Sequence, residues 1–162
     1  MEGYSKLFGS HDLRTINAQQ NIGSTYFDMG EFSEANKYFE QAIKSYEDHK
    51  FTSLPAYYTA LTNLANAQTK MKHFDSARAL FEKALHKQMH DVDIGDRHPD
   101  TIRTAFDYGE MLFIKKDYRH AVQYFDQALK GCQLTGIEDN PMINDARKRI
   151  QACIDFGHIE LS

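Results

Sequence analysis

The sequence has no tryptophan, only two cysteines and only three prolines among its 162 residues. Cys132 and Cys153 are too few for a disulfide framework and do not form a Cys-x-x-Cys metal or redox motif. No apolar run approaches the roughly 20 residues that cross a bilayer, and the first six residues lack the pattern of a secretory signal. We therefore expect a protein of the reducing cytoplasm that is neither exported nor bound to a membrane.

The sequence has no large excess of basic or acidic residues. The chain carries 19 basic and 23 acidic residues, interspersed along its length, for a net charge of -4. A nucleic-acid-binding surface needs clustered lysine and arginine to neutralise phosphates, so no nucleic-acid partner is expected. The length fits one domain or a short repeat array, which can bury a core without disulfides or metals.

The few prolines are evenly spaced, since Pro55, Pro99 and Pro141 stand 44 and 42 residues apart. When the sequence is laid over itself with similar offsets, three blocks match. The matched positions recur at i, i+3, i+7 and i+10, which is the spacing of one helical face. They are Phe32, Phe74 and Tyr118; Ala35, Ala77 and Ala121; Phe39, Phe81 and Phe125; and Ala42, Ala84 and Ala128.

Each of these faces is preceded by a second predicted helix, over about Asp12–Met29, Ala56–Met71 and Pro99–Ile114. The intervening turns are short and polar, which favours antiparallel helix pairs. Proline is well tolerated in the first turn of a helix, so Pro55 and Pro99 mark where a pair begins. Helix pairs in series form a solenoid.

Pro141 predicts one further helix, through Phe156, that has no partner helix before the end of the sequence. A single closing helix can shield the last repeat from water, so we interpret it as a cap. Its predicted apolar face contains Ile143, Ala146, Ile150, Cys153 and Ile154, whereas Arg147, Lys148 and Arg149 are expected to face outward.

The first block resembles the tetratricopeptide repeat (TPR) in its order of glycine, tyrosine, alanine and phenylalanine. The residues are Gly23, Tyr26, Gly30, Phe32, Ala35, Phe39 and Ala42. The period exceeds the roughly 34 residues of the ordinary repeat. In this respect the sequence looks like the kinesin light chain subclass, whose linker is similar to Gly95-Asp96-Arg97-His98-Pro99-Asp100-Thr101 and whose leading-helix motif is similar to Thr62-Asn63-Leu64-Ala65.

The predicted fold is all-α, a right-handed α-solenoid of three TPR-like helix pairs with a C-terminal capping helix. The predicted order is an N-terminal segment 1–10, repeats over 11–49, 53–91 and 97–135, a capping helix over 140–157 and a tail 158–162.

The resemblance implies that the first helix of each repeat lines an inward face that binds peptides of partner proteins. Amides such as those of Asn63 and Asn66 both donate and accept hydrogen bonds, so they can hold a peptide backbone. A plain solvated helix face is the alternative interpretation. The predicted groove residues are Asn17, Gln20, Asn21, Ser24, Thr59, Thr62, Asn63, Asn66, Lys70, Arg103, Asp107 and Glu110.

The resemblance also implies a test for chaperone-tail binding. Family members that bind chaperones hold a C-terminal carboxylate with lysine, asparagine and arginine at defined inward positions. These positions contain Gln20, Ser24, Asn66, Phe106 and Glu110 here, and we expect Glu110 to repel a carboxylate. Capture of chaperone tails is therefore disfavoured.

No catalytic, cofactor or metal site is predicted. His86 and His90 have the i, i+4 spacing of two metal ligands, but no third ligand is placed by the pattern. The acidic stretch from Asp91 to Asp96 has Ile102 where a calcium loop needs glutamate. We interpret this stretch as the linker between repeats.

The sequence therefore predicts a non-catalytic scaffold or adaptor that binds a protein or peptide partner. The alternative is a structural module that self-associates or docks end to end. Tyr4, Leu7 and Phe8 give the N-terminal segment an apolar character with weak helical patterning, and an exposed apolar end favours association. Under either hypothesis we expect a monomer or a weak homo-oligomer.

Overall fold

The computed structural model describes residues 13–135 and 141–157. Within these ranges the chain forms seven α-helices and no strand. The predictions for segment 1–10, for the tail 158–162 and for Tyr4, Leu7 and Phe8 lie outside the described residues. The helices are α1 Leu13–Asp28, α2 Phe32–Asp48, α3 Pro55–Lys70, α4 Phe74–His90, α5 Pro99–Ile114, α6 Tyr118–Leu134 and α7 Pro141–Gly157.

The predicted helix positions agree with these bounds to within one or two residues. Pro55 and Pro99 lie in the first turn of α3 and α5, where their missing N–H costs nothing. His98 precedes α5 and its Nδ1 accepts a hydrogen bond from the backbone N–H of Asp100 at 3.2 Å. The prolines therefore fix where the leading helices of the second and third repeats begin.

The chain divides into two compact units, of which the first ends at Ala84 and the second begins at Leu85. In the first unit, Ala35, Phe39 and Ala42 of α2 are buried. The Phe39 ring lies so close to α1 that a Cβ added at Gly23 would stand 2.7 Å from the ring atom Cε1. Only glycine therefore allows this approach without a shift of the ring.

The same close approach recurs in the second unit, where Ala121, Phe125 and Ala128 of α6 are buried. A Cβ added at Gly109 of α5 would stand 2.8 Å from Cδ1 of Phe125. Gly109 is thus the structural counterpart of Gly23. In the first and third repeats, a glycine facing the buried phenylalanine ring lets the two helices of the pair pack closely.

The turn inside each repeat ends its leading helix with a residue at positive φ. Gly30, Lys72 and Lys116 have φ values of 81°, 63° and 66°. The following N–H groups of Glu31, His73 and Asp117 donate to carbonyls five residues back, those of Tyr26, Gln68 and Leu112, at 2.8–2.9 Å. This is the Schellman arrangement, which satisfies carbonyls that the end of the helix leaves without partners.

The capping helix α7 packs on α6 and buries Ile143, Ala146 and Cys153, as predicted for its apolar face. Ile150 and Ile154 are only half-buried, whereas Arg147 and Lys148 are exposed. Both cysteines are buried free thiols, in agreement with the absence of a disulfide framework.

The expectation that Arg149 faces outward is wrong. Its Nη2 donates to Oε2 of Glu110 on α5 at 2.9 Å, and its guanidinium lies 5.3 Å from the centre of the Phe113 ring. The physical reason is that Glu110 is partly buried and a carboxylate removed from water favours a cationic partner. Arg149 therefore joins the capping helix to the leading helix α5.

Candidate functional site

The leading helices α1 and α3 of the first unit lie side by side. Nε2 of Gln20 on α1 donates to the Ala56 carbonyl on α3 at 3.2 Å. Their polar residues occupy equivalent repeat positions 42 residues apart. We call seven of these residues the amide surface; they are Asn17, Asn21, Ser24, Thr59, Asn63, Asn66 and Lys70. The side chains of Ser24, Asn63 and Asn66 are half-buried, and the other four are exposed.

Two predicted groove residues do not belong to this surface. Gln20 is buried, and its Nε2 also donates to the Tyr46 hydroxyl at 2.7 Å. Thr62 is buried and its hydroxyl donates to the Tyr58 carbonyl one turn earlier at 3.2 Å. Both side chains are buried and hydrogen-bonded within the protein, so we leave them out of this surface.

The buried network fixes one member of the amide surface. The Tyr46 hydroxyl donates to Oδ1 of Asn17 at 3.1 Å, which holds the carbonyl end of this amide. Burial raises the pKa of Tyr46 above its ordinary value, while the hydrogen bond from Gln20 partly opposes this. The phenol therefore stays protonated at neutral pH and keeps donating to Asn17.

In the second unit, the predicted residues of α5 are charged and paired. Nε of Arg103 lies 3.9 Å from Oδ2 of Asp107, one turn further along the helix. Glu110 forms an ion pair with Arg149 of α7. The expected repulsion of a carboxylate by Glu110 is thus offset by its arginine partner.

Sequence reasoning missed Arg149 because α7 was interpreted as a cap alone. A signal for it was present: the 42-residue offset between Pro99 and Pro141 places Arg149 at the position equivalent to Asp107. When α7 is read as one more leading helix, Lys148, Arg149 and Phe156 fall at inward positions. Phe156 indeed contacts the Phe113 and Tyr118 rings of the preceding pair, at centroid distances of 6.1 and 6.2 Å.

No group of three histidine, cysteine, aspartate or glutamate side chains is arranged to hold a metal in the described part of the chain. The rings of His86 and His90 stack on each other at 4.4 Å. The linker that follows is held by its own hydrogen bonds, such as Gly95 N–H to the Gln88 carbonyl at 3.1 Å and the Thr101 hydroxyl to the Gly95 carbonyl at 2.7 Å. Among the described helices, none is long and apolar enough to span a membrane.

Comparison with known proteins agrees with this geometry. Residues 1–48 and 58–133 match the family described as Tetratricopeptide repeat. No curated protein matches the sequence. This repeat serves other proteins as a scaffold for protein–protein interaction, and its family is in general non-catalytic.

Two kinds of solved structure share the fold. BtubC (BKLC) from P. vanneervenii is similar with a TM-score of 0.79 at 16% identity, over 88% of this chain and 56% of that one. A kinesin light chain-type protein from Podosopora anserina with nearly identical TPR-like repeats is similar with a TM-score of 0.78 at 15% identity, over 89% of this chain and 67% of that one. The chain thus spans little more than half of the BtubC chain.

These similar structures agree with the helix pairs described above. The helix order and the likeness to these structures define an all-α repeat solenoid. The chain belongs to the tetratricopeptide repeat family, and its fold is similar to that of the kinesin light chain-type protein.

Proposed function

We propose that the protein is a non-catalytic scaffold or adaptor whose amide surface binds an extended segment of a protein partner. The observation that carries the proposal is the composition of this surface. Six of its seven residues are uncharged hydrogen-bonding side chains, on two leading helices that pack side by side. The proposed partner is a cytoplasmic protein or peptide, neither a nucleic acid nor a membrane.

The chemistry of the surface suits a peptide backbone. Each side-chain amide offers two donors and a carbonyl acceptor, which matches the alternating N–H and C=O groups of an extended chain. Asn63 and Asn66 are half-buried, so their conformational freedom is already reduced before a partner binds. The hydrogen bond from Tyr46 restricts the side chain of Asn17 in the same way.

Specificity is proposed to come from charge rather than from the amides. Lys70 stands exposed at the end of α3 and gives the amide surface its one charged side chain. Charged groups contribute more to the choice of a partner and to the rate of encounter than to the final affinity.

The test is binding by a double variant, Asn63→Ala with Asn66→Ala. A partner is first isolated from native extract with the wild-type protein, and its affinity is then measured by titration calorimetry. We expect the double variant to bind at least about tenfold more weakly, since it loses two hydrogen-bonding groups. The matched control is Gln41→Ala with Gln133→Ala, which removes exposed amides from α2 and α6. Equal affinity of the two double variants would exclude the amide surface.

Self-association or end-to-end docking is a second candidate, favoured by exposed apolar side chains on α5 and α7. Phe156 is 64% exposed and Ile114 is 45% exposed. Light scattering over a dilution series tests this function. A mass that rises with concentration in the wild type, and not in a Phe156→Ser variant, supports it, whereas a constant monomer mass contradicts it.

A further inference from the structure

A second surface of the molecule has the composition of a binding site. In the second unit, the C-terminal end of α4, the following linker and α6 enclose a cleft of about 400 Å³. None of the predicted groove residues lines this cleft. Its lining residues are Met89, Asp96, Gln123, Asp126, Gln127, Lys130, Gly131 and Leu134.

The cleft has an adaptable apolar part. Met89 and Leu134 are 47% and 53% exposed, although large apolar side chains gain free energy when they leave water. Gly131 also lines the cleft, and an added Cβ there would lie 2.7 Å from Cγ1 of the buried Ile102, so this position of α6 is restricted to glycine. A methionine thioether adjusts readily to the shape of an incoming side chain. The apolar part therefore fits an aliphatic side chain of a partner.

A polar group beside this apolar part donates to a weak acceptor within the protein. Nε2 of Gln127 donates to the Met89 sulfur at 3.5 Å. A thioether is a weak acceptor, so a backbone carbonyl from a partner would be the stronger acceptor for the same N–H. Exchange of one acceptor for the other would also release Met89 to pack on the ligand.

The charge of the lining favours a cation. Asp126 is already paired with Lys130, whose Nζ lies 2.6 Å from Oδ2. Asp96 is exposed and takes part in none of the ion pairs among the described residues, so the cleft carries one uncompensated negative charge. A lysine or arginine of a partner would neutralise this charge at the edge of the cleft.

We propose that this cleft docks an extended partner segment in which an aliphatic side chain stands next to a lysine or arginine. The aliphatic side chain lies between Met89 and Leu134, a backbone carbonyl accepts from Gln127, and the cationic side chain pairs with Asp96. The protein then has a binding site that is separate from the amide surface.

The test is a titration of the full ¹⁵N-labelled chain, followed by amide chemical shifts. The probes are the peptides acetyl-Arg-Leu-Arg-Leu-amide, acetyl-Glu-Leu-Glu-Leu-amide and acetyl-Arg-Ser-Arg-Ser-amide. We expect the first to shift the amides of Met89, Asp96, Gln127 and Gly131 with millimolar affinity, and the other two to shift them much less. Equal shifts with the acidic peptide, or shifts confined to the amide surface, would overturn the proposal.

Two matched pairs of variants locate the contacts. Asp96→Asn is expected to weaken binding of the Arg-Leu peptide about threefold to fivefold, in line with one exposed ion pair. Asp93→Asn removes the same charge from an exposed linker residue outside the cleft and should leave the affinity unchanged. Likewise Leu134→Ser should weaken binding, while Val92→Ser, at a residue 97% exposed and outside the cleft, should not. Equal effects within either pair would contradict the proposed contacts.

Discussion

At the scale of the residue, the turns inside the repeats use different amino acids for one backbone conformation. Gly30 adopts the left-handed region without a Cβ, whereas Lys72 and Lys116 adopt it with one. The conformation costs a residue with a side chain roughly 1–2 kcal/mol relative to its right-handed form. The second and third repeats therefore contain a correctable strain that the first repeat avoids.

We expect Lys72→Gly to stabilise the protein. Removal of the Cβ relieves the left-handed strain, and the greater freedom of glycine in the unfolded chain offsets part of the gain, for a net of about 0.5–1 kcal/mol. Urea unfolding measures the change. The control is Lys44→Gly at an exposed position within α2, which should cost about 1 kcal/mol because glycine is a poor helix former. If both variants lose stability equally, the turn at Lys72 is not strained.

The two thiols make a second prediction at this scale. Burial raises the pKa of Cys132, and burial together with the nearby Glu110 carboxylate raises the pKa of Cys153 to about 11, with Arg149 opposing. A higher pKa means less thiolate at a given pH. At pH 8, Cys153 has about a hundredfold less thiolate than an ordinary cysteine, and only the thiolate is alkylated.

Iodoacetamide should therefore label Cys153 at least about a hundredfold more slowly in the native protein than in urea, and Cys132 should also be labelled more slowly in the native protein. The native rate at Cys153 should still rise above pH 9. Mass spectrometry of the two labelled peptides gives both rates. A native rate that levels off by pH 9 would contradict the raised pKa.

At the scale of the element, the aligned phenylalanines hold the helix pairs together. Phe81 of α4 is fully buried, as are its repeat equivalents Phe39 and Phe125 at 1% and 0% exposure. Its side chain is the largest fully buried one among the aligned positions of the second repeat. The stability of the pair should therefore depend on this one ring more than on any exposed residue of α4.

We expect Phe81→Ala to lower the free energy of unfolding by about 3–5 kcal/mol, because the ring leaves a cavity in the core. Urea unfolding followed by circular dichroism measures it. Ser76→Ala, at an exposed position of the same helix, should change the stability by less than about 0.5 kcal/mol. A nearly neutral Phe81→Ala would mean that the repeat alignment is wrong.

Much of the fold at this scale was predictable from the sequence. The stripe of alanine and phenylalanine predicted α2, α4 and α6, and the prolines predicted where α3, α5 and α7 begin. Both signals are local, since they depend on helical spacing and on the geometry of proline. The candidate site was less predictable, because it depends on which residues the neighbouring helix covers.

Gln20 and Thr62 show this limit. Helical spacing places them with the inward residues, yet Gln20 reaches Tyr46, 26 residues away, and becomes buried. Arg149 shows the opposite case, since it was expected to face water and instead pairs with Glu110, 39 residues away. Contacts between helices decide whether such side chains are buried and which partners they have. A periodic pattern within one helix carries no information about these contacts.

At the scale of the whole molecule, α7 begins where the leading helix of a further repeat would begin, since Pro141 follows Pro99 by 42 residues. It packs on α6, ties Arg149 to Glu110 and places Phe156 on the Phe113 and Tyr118 rings. Terminal elements of repeat arrays cover an apolar surface that would otherwise face water. The second unit should therefore depend on α7 for its stability.

Truncation after Thr135 should lower the melting temperature by at least about 2–4 °C, since more than about 1 kcal/mol of packing is lost. Differential scanning calorimetry measures the change. The control is the full chain with Arg147→Ala and Lys148→Ala, which alters only exposed residues of α7 and should melt like the wild type. An unchanged melting temperature of the truncated chain would show that α7 contributes nothing to the core.

The left-handed turns have a consequence for proteolysis. Lys50, Lys72 and Lys116 are exposed residues at positive φ between helices, and trypsin cleaves after lysine. A protease binds its substrate as an extended strand, so each of these bonds becomes cleavable only when its turn opens. Under brief digestion, the rates of nicking after the three lysines then report how often each turn opens in the folded molecule.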